Sequence, residues 1–170
     1  MTLSLHATPK RCFDPVIDSK TRMLILGSLP GDQSLLLEQY YGNRQNKFWL
    51  LISQVIGVDL VARDYRARLQ TLLDHGIGLW DVVAQAQRAG SLDSGIRERH
   101  DNDLLGLLAH YPNVTALAFN GGAAARVGMK VLGGLAAPYR IVQLPSTSPA
   151  YTLAYAEKLL AWLPLRELLE

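Results

Sequence analysis

Four short runs of apolar residues divide the chain: Met23–Leu26, Ile77–Val83, Val114–Phe119 and Tyr139–Leu144. In the first run every position is apolar, and Gly27-Ser-Leu-Pro-Gly31 stops it. An unbroken run ended by Gly and Pro predicts a strand buried on both faces. Between the runs the apolar positions recur at helical spacing. Phe48–Ile56 ends at Gly57, and Tyr65–His75 ends at Gly76. Asp103–Tyr111 carries Leu104, Leu105, Leu107 and Leu108 as one stripe, with Pro112-Asn113 as the turn after it. Ala123–Leu132 is a helix of small residues able to pack close to a sheet, and Leu153–Leu163 is a last helix stopped or kinked by Pro164. Ser34–Tyr41 reads as a short helix or turn. The polar, Gly-containing stretch Ala89–Arg99 reads as a loop.

Strands that alternate with helices predict an α/β fold: an open, mostly parallel sheet with helices on both faces, hence three layers. The chain, residues 1–170, is expected to form one such domain. Ligands bind beyond the carboxyl ends of the strands in sheets of this kind. Three of the four predicted strands end in clusters of Gly, Asn, Pro or Ser, which makes those clusters the places to look for a site.

Composition narrows the classes. Hydrophobic residues make up 49% and charged residues 19%, with mean hydropathy +0.08, as expected of a globular chain. The single cysteine, Cys12, excludes an internal disulfide framework and a cysteine-based zinc cluster. A net charge of +2 excludes a broadly cationic nucleic-acid binder, so any grip on DNA or RNA must come from a local patch. No apolar run approaches the roughly 20 residues of a spanning helix, and Met1–Lys10 lacks a leader pattern. The expectation is a cytoplasmic protein that does not use a membrane.

Four segments could carry chemistry. The Gly27–Gly31 turn is either a tight strand-to-helix connection or a place where backbone N–H groups approach a ligand. It has neither the Gly-Lys-Ser/Thr of a phosphate loop nor G-x-G-x-x-G spacing. Tyr40–Trp49 interleaves aromatics with Arg44, Lys47 and three amides, a composition suited to stacking on a base and bonding its edge. It equally suits a helix start, with Asn46 as N-cap and Phe48 and Trp49 in the core. Asn120, in Phe119-Asn-Gly-Gly122, is a ligand-reading amide or a turn residue. Leu144-Pro-Ser-Thr-Ser-Pro149 is a phosphate-contacting loop or a capped turn. Asp81, within an apolar strand, must be hydrogen-bonded, and a structural role is favoured over a site role. His6, His75, His100 and His110 show no metal-ligand spacing and read as surface or structural residues. Nothing argues for a reactive Cys12.

Taken together, these segments resemble the uracil-DNA glycosylase superfamily, and within it the hypoxanthine-DNA glycosylase branch. The matching pieces are Gly27–Gly31, Tyr40-Tyr41 with Asn46-Lys-Phe-Trp49, Gly78-Leu-Trp-Asp-Val82, Gly90-Ser-Leu-Asp-Ser94, Phe119-Asn-Gly121 and Leu144–Pro149. They follow the family's order from about Met23 onward. The resemblance implies a four-stranded parallel sheet between helices and hydrolytic removal of a flipped, deaminated base from double- or single-stranded DNA. It implies no metal or other cofactor, and a monomer. It puts the catalytic amide on Asn46. Gly27, Ser28, Leu29, Pro30 and Asn120 would bind the base, with Phe48 stacking on it. Tyr41, Arg44, Lys47, Ser146, Thr147 and Ser148 would contact DNA, with Arg126 and Lys130 adding to the local patch.

The chain also departs from the superfamily pattern. Other branches carry Asp, Asn or Glu inside the first turn, where Ser28 and Leu29 stand here, and often a His where Leu144 stands. Both departures favour hypoxanthine over uracil as the released base. The rival expectations are a uracil enzyme, and a lesion-binding relative that does not cut.

Overall fold

The structure, a computed structural model, describes residues 8–170; His6 and the first part of the segment read for a leader lie outside them. In chain order the strands are β1 (Lys10–Arg11), β2 (Met23–Gly27), β3 (Ile77–Asp81), β4 (Val83–Gln87), β5 (Arg97–Asp101), β6 (Ala116–Asn120) and β7 (Arg140–Leu144). The helices are α1 (Asp32–Leu37), α2 (Phe48–Ile56), α3 (Tyr65–Asp74), α4 (Leu104–His110), α5 (Gly122–Leu132) and α6 (Tyr155–Trp162). The expected four-stranded sheet is present in the order β3-β2-β6-β7, and each neighbouring pair runs parallel.

Side chains alternate across β2, so an unbroken apolar run means that two different cores are being filled. Met23 and Ile25 pack with Phe48, Ile52 and Trp162 on one face. Leu24 and Leu26 pack with Leu104, Leu108 and Ala124 on the other. Each such aliphatic side chain contributes about 1.5–3 kcal/mol on burial. The small-residue helix does lie close to the sheet: a Cβ at Gly128 would fall 2.2 Å from the Phe119 ring. Asp103 caps α4 by accepting the Gly106 N–H at 3.0 Å. Beyond Trp162 the chain continues as a 3-10 turn over Leu163–Leu168, with Pro164 in its first positions. Among the described residues no helix is long and apolar enough to cross a membrane.

Two expectations are corrected. Ile77–Val83 is not one strand. It breaks at Val82, whose N–H turns to Gly27 O at 2.8 Å, and Val83 starts β4 in a second sheet. That sheet is antiparallel in the order β1-β4-β5. The supposed loop Ala89–Arg99 runs into β5, whose sequence Arg-Glu-Arg-His-Asp is exposed at every residue. A strand held by its backbone ladder, with all side chains in water, leaves no apolar alternation to read.

Candidate active site

The parallel register brings three strand ends level. Gly27 stands opposite Asp81, and Leu26 opposite Phe119, so Asn120 follows at the same edge. A cavity of about 450 Å³ opens there, as the topology requires. The turn Gly27–Gly31, Asn46 and the loop after β7 all line it. Among the described residues no Lys, Arg or His lines it; its ionisable groups are Asp81, Asp93 and the tyrosines 40, 41 and 151.

Asn46 is not the expected N-cap, a position that Lys47 takes without a side-chain cap bond; it stands one residue earlier. Its Oδ1 accepts the Phe48 N–H at 2.9 Å, closing the start of α2, while the residue stays on the cavity wall. The side chain is therefore held in one orientation, with its NH₂ and the second lone pair of Oδ1 unspent on that bond.

Phe48 is placed differently from its expected role as stacking platform. It is fully buried in the core, and Tyr41 lies over it, ring centroids 3.8 Å apart and planes 21° apart. Tyr41, not Phe48, reaches the cavity wall. The Tyr41 backbone is left-handed, φ 55, and its hydroxyl is buried without a hydrogen-bond partner. Burial, and then the neighbouring Asp81, push that phenol well above its ordinary range.

The Asn120 amide is directed at the last loop. Its Nδ2 donates to Thr147 Oγ1 and its Oδ1 accepts the Thr147 N–H, both at 3.0 Å. Thr147 is 1% exposed, so its side chain cannot meet a phosphate, contrary to expectation. Ser146 and Ser148 keep partly accessible positions on the same loop. Gly121 allows this approach: its φ of 104 suits glycine, and a Cβ would sit 3.2 Å from Ser146 Cβ. Lys47 donates its backbone N–H to Thr147 O at 3.0 Å, joining the loop to the start of α2. The buried Lys158 donates to Ser148 O at 3.2 Å, and its pKa is lowered by burial and by nearby Lys47. Arg44 is exposed beside the cavity.

Asp81 was expected to be a structural anchor. It lines the cavity at 5% exposure, and its Oδ2 has no partner. A Cβ at Gly27 would lie 2.7 Å from its Oδ1, so glycine is what lets the carboxyl sit against the strand end. Burial, then the negative charge of Asp93, raise its pKa to about 7, with Arg88 acting in the opposite sense.

The segment Gly90–Ser94 folds over the Gly27–Gly31 turn. Ser28 Oγ donates to Asp93 Oδ1 at 2.5 Å, and the Asp32 N–H donates to Ser91 Oγ at 2.9 Å. The Arg88 guanidinium, wholly buried, donates to Gly90 O and Pro30 O and lies 3.7 Å from Asp93. Lys10, on β1, reaches Asp32 and Gly90 O. The small antiparallel sheet therefore positions one wall of the cavity. Arg88 carries no expected role, Ser91 and Asp93 stand in a matching piece without one, and for Asp81 a site role is the less favoured expectation. The signals were an acid in an apolar strand and the polar stretch after it.

Comparison with known proteins follows this geometry. The model of the uracil DNA glycosylase superfamily matches residues 15–167. A hypoxanthine DNA glycosylase of Methanosarcina acetivorans is 43% identical over 141 residues, 83% of this chain and 87% of its own. One from Methanosarcina barkeri is 45% identical over 112 residues, 66% of this chain and 71% of its own. A solution NMR structure from Methanosarcina acetivorans, provisionally described as a uracil DNA glycosylase, superposes with a TM-score of 0.84 at 38% identity, covering 95% and 99% of the two chains.

Proposed function

Because the chain belongs to the uracil DNA glycosylase superfamily, we propose that it removes hypoxanthine from DNA by hydrolysing the N-glycosidic bond of a flipped deoxyinosine. The observation that carries this reading is Asn46: an amide on the cavity wall, held by the hydrogen bond it accepts from the Phe48 N–H, in a cavity at the carboxyl ends of parallel strands. The names of the two curated relatives support the choice of base.

Extruding the base costs a few kcal/mol of unstacking, and the cavity must return that energy. Tyr41, backed by Phe48, offers the rigid aromatic wall on which the base stacks. The turn Gly27–Gly31 closes over the base, with Leu29 and Pro30 buried beneath it. Asn46 orients the water that attacks C1′, and fixed dipoles around the departing base favour the charge that develops there. Ser146, Ser148, Arg44 and Lys47 grip phosphates beside the cavity, and Asn120 holds that loop in place through Thr147. This reading takes the 170 residues as one domain, monomeric and cytoplasmic, acting on duplex or single-stranded DNA without a cofactor.

The test is single-turnover release of hypoxanthine from inosine-containing duplex, beside uracil, xanthine and thymine duplexes. The wild-type protein should act on inosine first. Asn46→Ala should lose roughly 100-fold or more of that rate, with a melting temperature only a few degrees below that of the wild type, the cost of the lost bond to the Phe48 N–H. Release by the wild type from uracil alone, or undiminished turnover in the variant, defeats the assignment.

A further inference from the structure

The first turn of this chain carries a hydroxyl and an aliphatic side chain, Ser28 and Leu29, and Asn46 is neutral. Hydrolysis of a purine nucleoside nevertheless has two protons to place. The attacking water loses one as its oxygen bonds to C1′, and the departing base needs one as the C1′–N9 bond breaks. The cavity contains two carboxyl groups from separate elements, in different surroundings. Asp93 is 43% exposed at the side chain, accepts the Ser28 hydroxyl and lies beside the Arg88 guanidinium. Asp81 is buried at the end of β3, and its Oδ2 has no partner.

From this arrangement we infer that Asp93 and Asp81 work as an acid–base pair: Asp93 takes the proton of the attacking water, and Asp81 gives a proton to the departing purine. The inference rests on the glycosylase reading above. As the water oxygen bonds to C1′, one of its protons passes to the Asp93 carboxylate. The electron pair of the breaking C1′–N9 bond stays with the base, which takes the Asp81 proton on a ring nitrogen and leaves neutral. No other reactant is needed. Exchange with solvent through the exposed Asp93 side chain, and across the open cavity, resets both groups. Ser28 and Arg88 then act as positioning residues, fixing the Asp93 carboxylate against the first turn and so bringing in from another loop a charge that the turn lacks.

Two carboxyls of one cavity in contrasting surroundings, one buried and one exposed beside a guanidinium and a hydroxyl, suit such a division. Burial and the Asp93 charge raise the pKa of Asp81 to about 7, so it carries a proton near neutrality. The charged and titratable neighbours of Asp81 are Asp93, Arg88, Tyr40, Tyr41 and Cys12. Those around Asp93 are Arg88 and Asp81; Asp32, which also acts on the guanidinium, pairs with Lys10.

The experiment is the pH profile of single-turnover hypoxanthine release from inosine duplex between pH 4.5 and 9. The wild-type rate should fall as pH rises through about 7. Asp93→Asn should lower the rate roughly 100-fold or more and move the remaining fall to lower pH, because the Asp93 charge helps to raise Asp81; Asp81→Asn should abolish the fall with a comparable loss. Ser28→Ala, which leaves both carboxyls in place, should lower the rate about 10-fold and keep the fall near pH 7. Melting curves, and binding to an uncleavable inosine analogue, check that each variant is folded and takes the base. A rate or a fall left unchanged by Asp93→Asn, or a fall kept by Asp81→Asn, overturns the pair. If that happens while Asn46→Ala is inactive, the glycosylase reading stands and only the pair falls; a wild type that releases no hypoxanthine defeats both.

Discussion

The ring of Tyr41 lies flat on that of Phe48, 3.8 Å between centroids, and only Tyr41 reaches the cavity. Its backbone is left-handed at φ 55, which costs a non-glycine residue about 1–2 kcal/mol. Hydrogen bonds on both sides hold it there: Tyr40 N–H donates to the Tyr65 hydroxyl, and Gly42 N–H to Ser34 Oγ, each at 2.9 Å. The two rings should therefore separate in mutagenesis. Phe48→Ala removes a fully buried ring and should cost about 3–5 kcal/mol in a denaturant melt. Tyr41→Ala should weaken binding of inosine duplex by about 1–3 kcal/mol while costing less stability than Phe48→Ala. Binding left intact by Tyr41→Ala would return the platform role to Phe48.

The Asn120–Thr147 pair makes a second prediction. Asn120→Ala leaves the Thr147 N–H and hydroxyl unpaired where Thr147 is 1% exposed, a loss of about 1–3 kcal/mol. Amide hydrogen exchange at Thr147 should quicken with it. Unchanged protection at that amide would mean that the loop does not depend on Asn120.

Asp81 ties stability to pH. Its carboxyl titrates near 3.8 in the unfolded chain and at about 7 in the folded one, so the folded state binds the extra proton between those values. That contribution is complete below about pH 4 and is lost as pH rises through about 7. Asp81→Asn should remove this dependence and raise stability at pH 8 by on the order of 2 kcal/mol relative to wild type. Parallel melting curves for the two proteins across pH 4–8 would contradict this.

Salt dependence should report the local grip. Net charge is +2, so a few side chains must carry the phosphate contacts. Arg44→Ala and Lys47→Ala should each lower the slope of log K against log salt by about one, equally for damaged and undamaged duplex. Loss of lesion preference in either variant would place that side chain at the base instead.

The sequence alone determined the layered sheet, because an unbroken apolar run such as Met23–Leu26, stopped by Gly27 and Pro30, has few other uses, and two faces of burial demand helices on both sides. It also pointed to the loops at the strand ends through their residue types, while Asn46, just before α2, was picked out only by the family resemblance that the order of the motifs carries. It could not show which ring of Tyr41 and Phe48 faces outward, since both are aromatic and the difference is a matter of layering. Nor could it show that Thr147 points inward while Ser146 and Ser148 on either side stay accessible. The small antiparallel sheet was hidden because β5 buries no side chain, and its backbone ladder leaves no mark on hydropathy. With that sheet hidden, so was the meeting of Ser28 with Asp93, 65 residues apart in sequence. Proximity of that kind depends on strand register and on a buried guanidinium, and only the tertiary structure decides either.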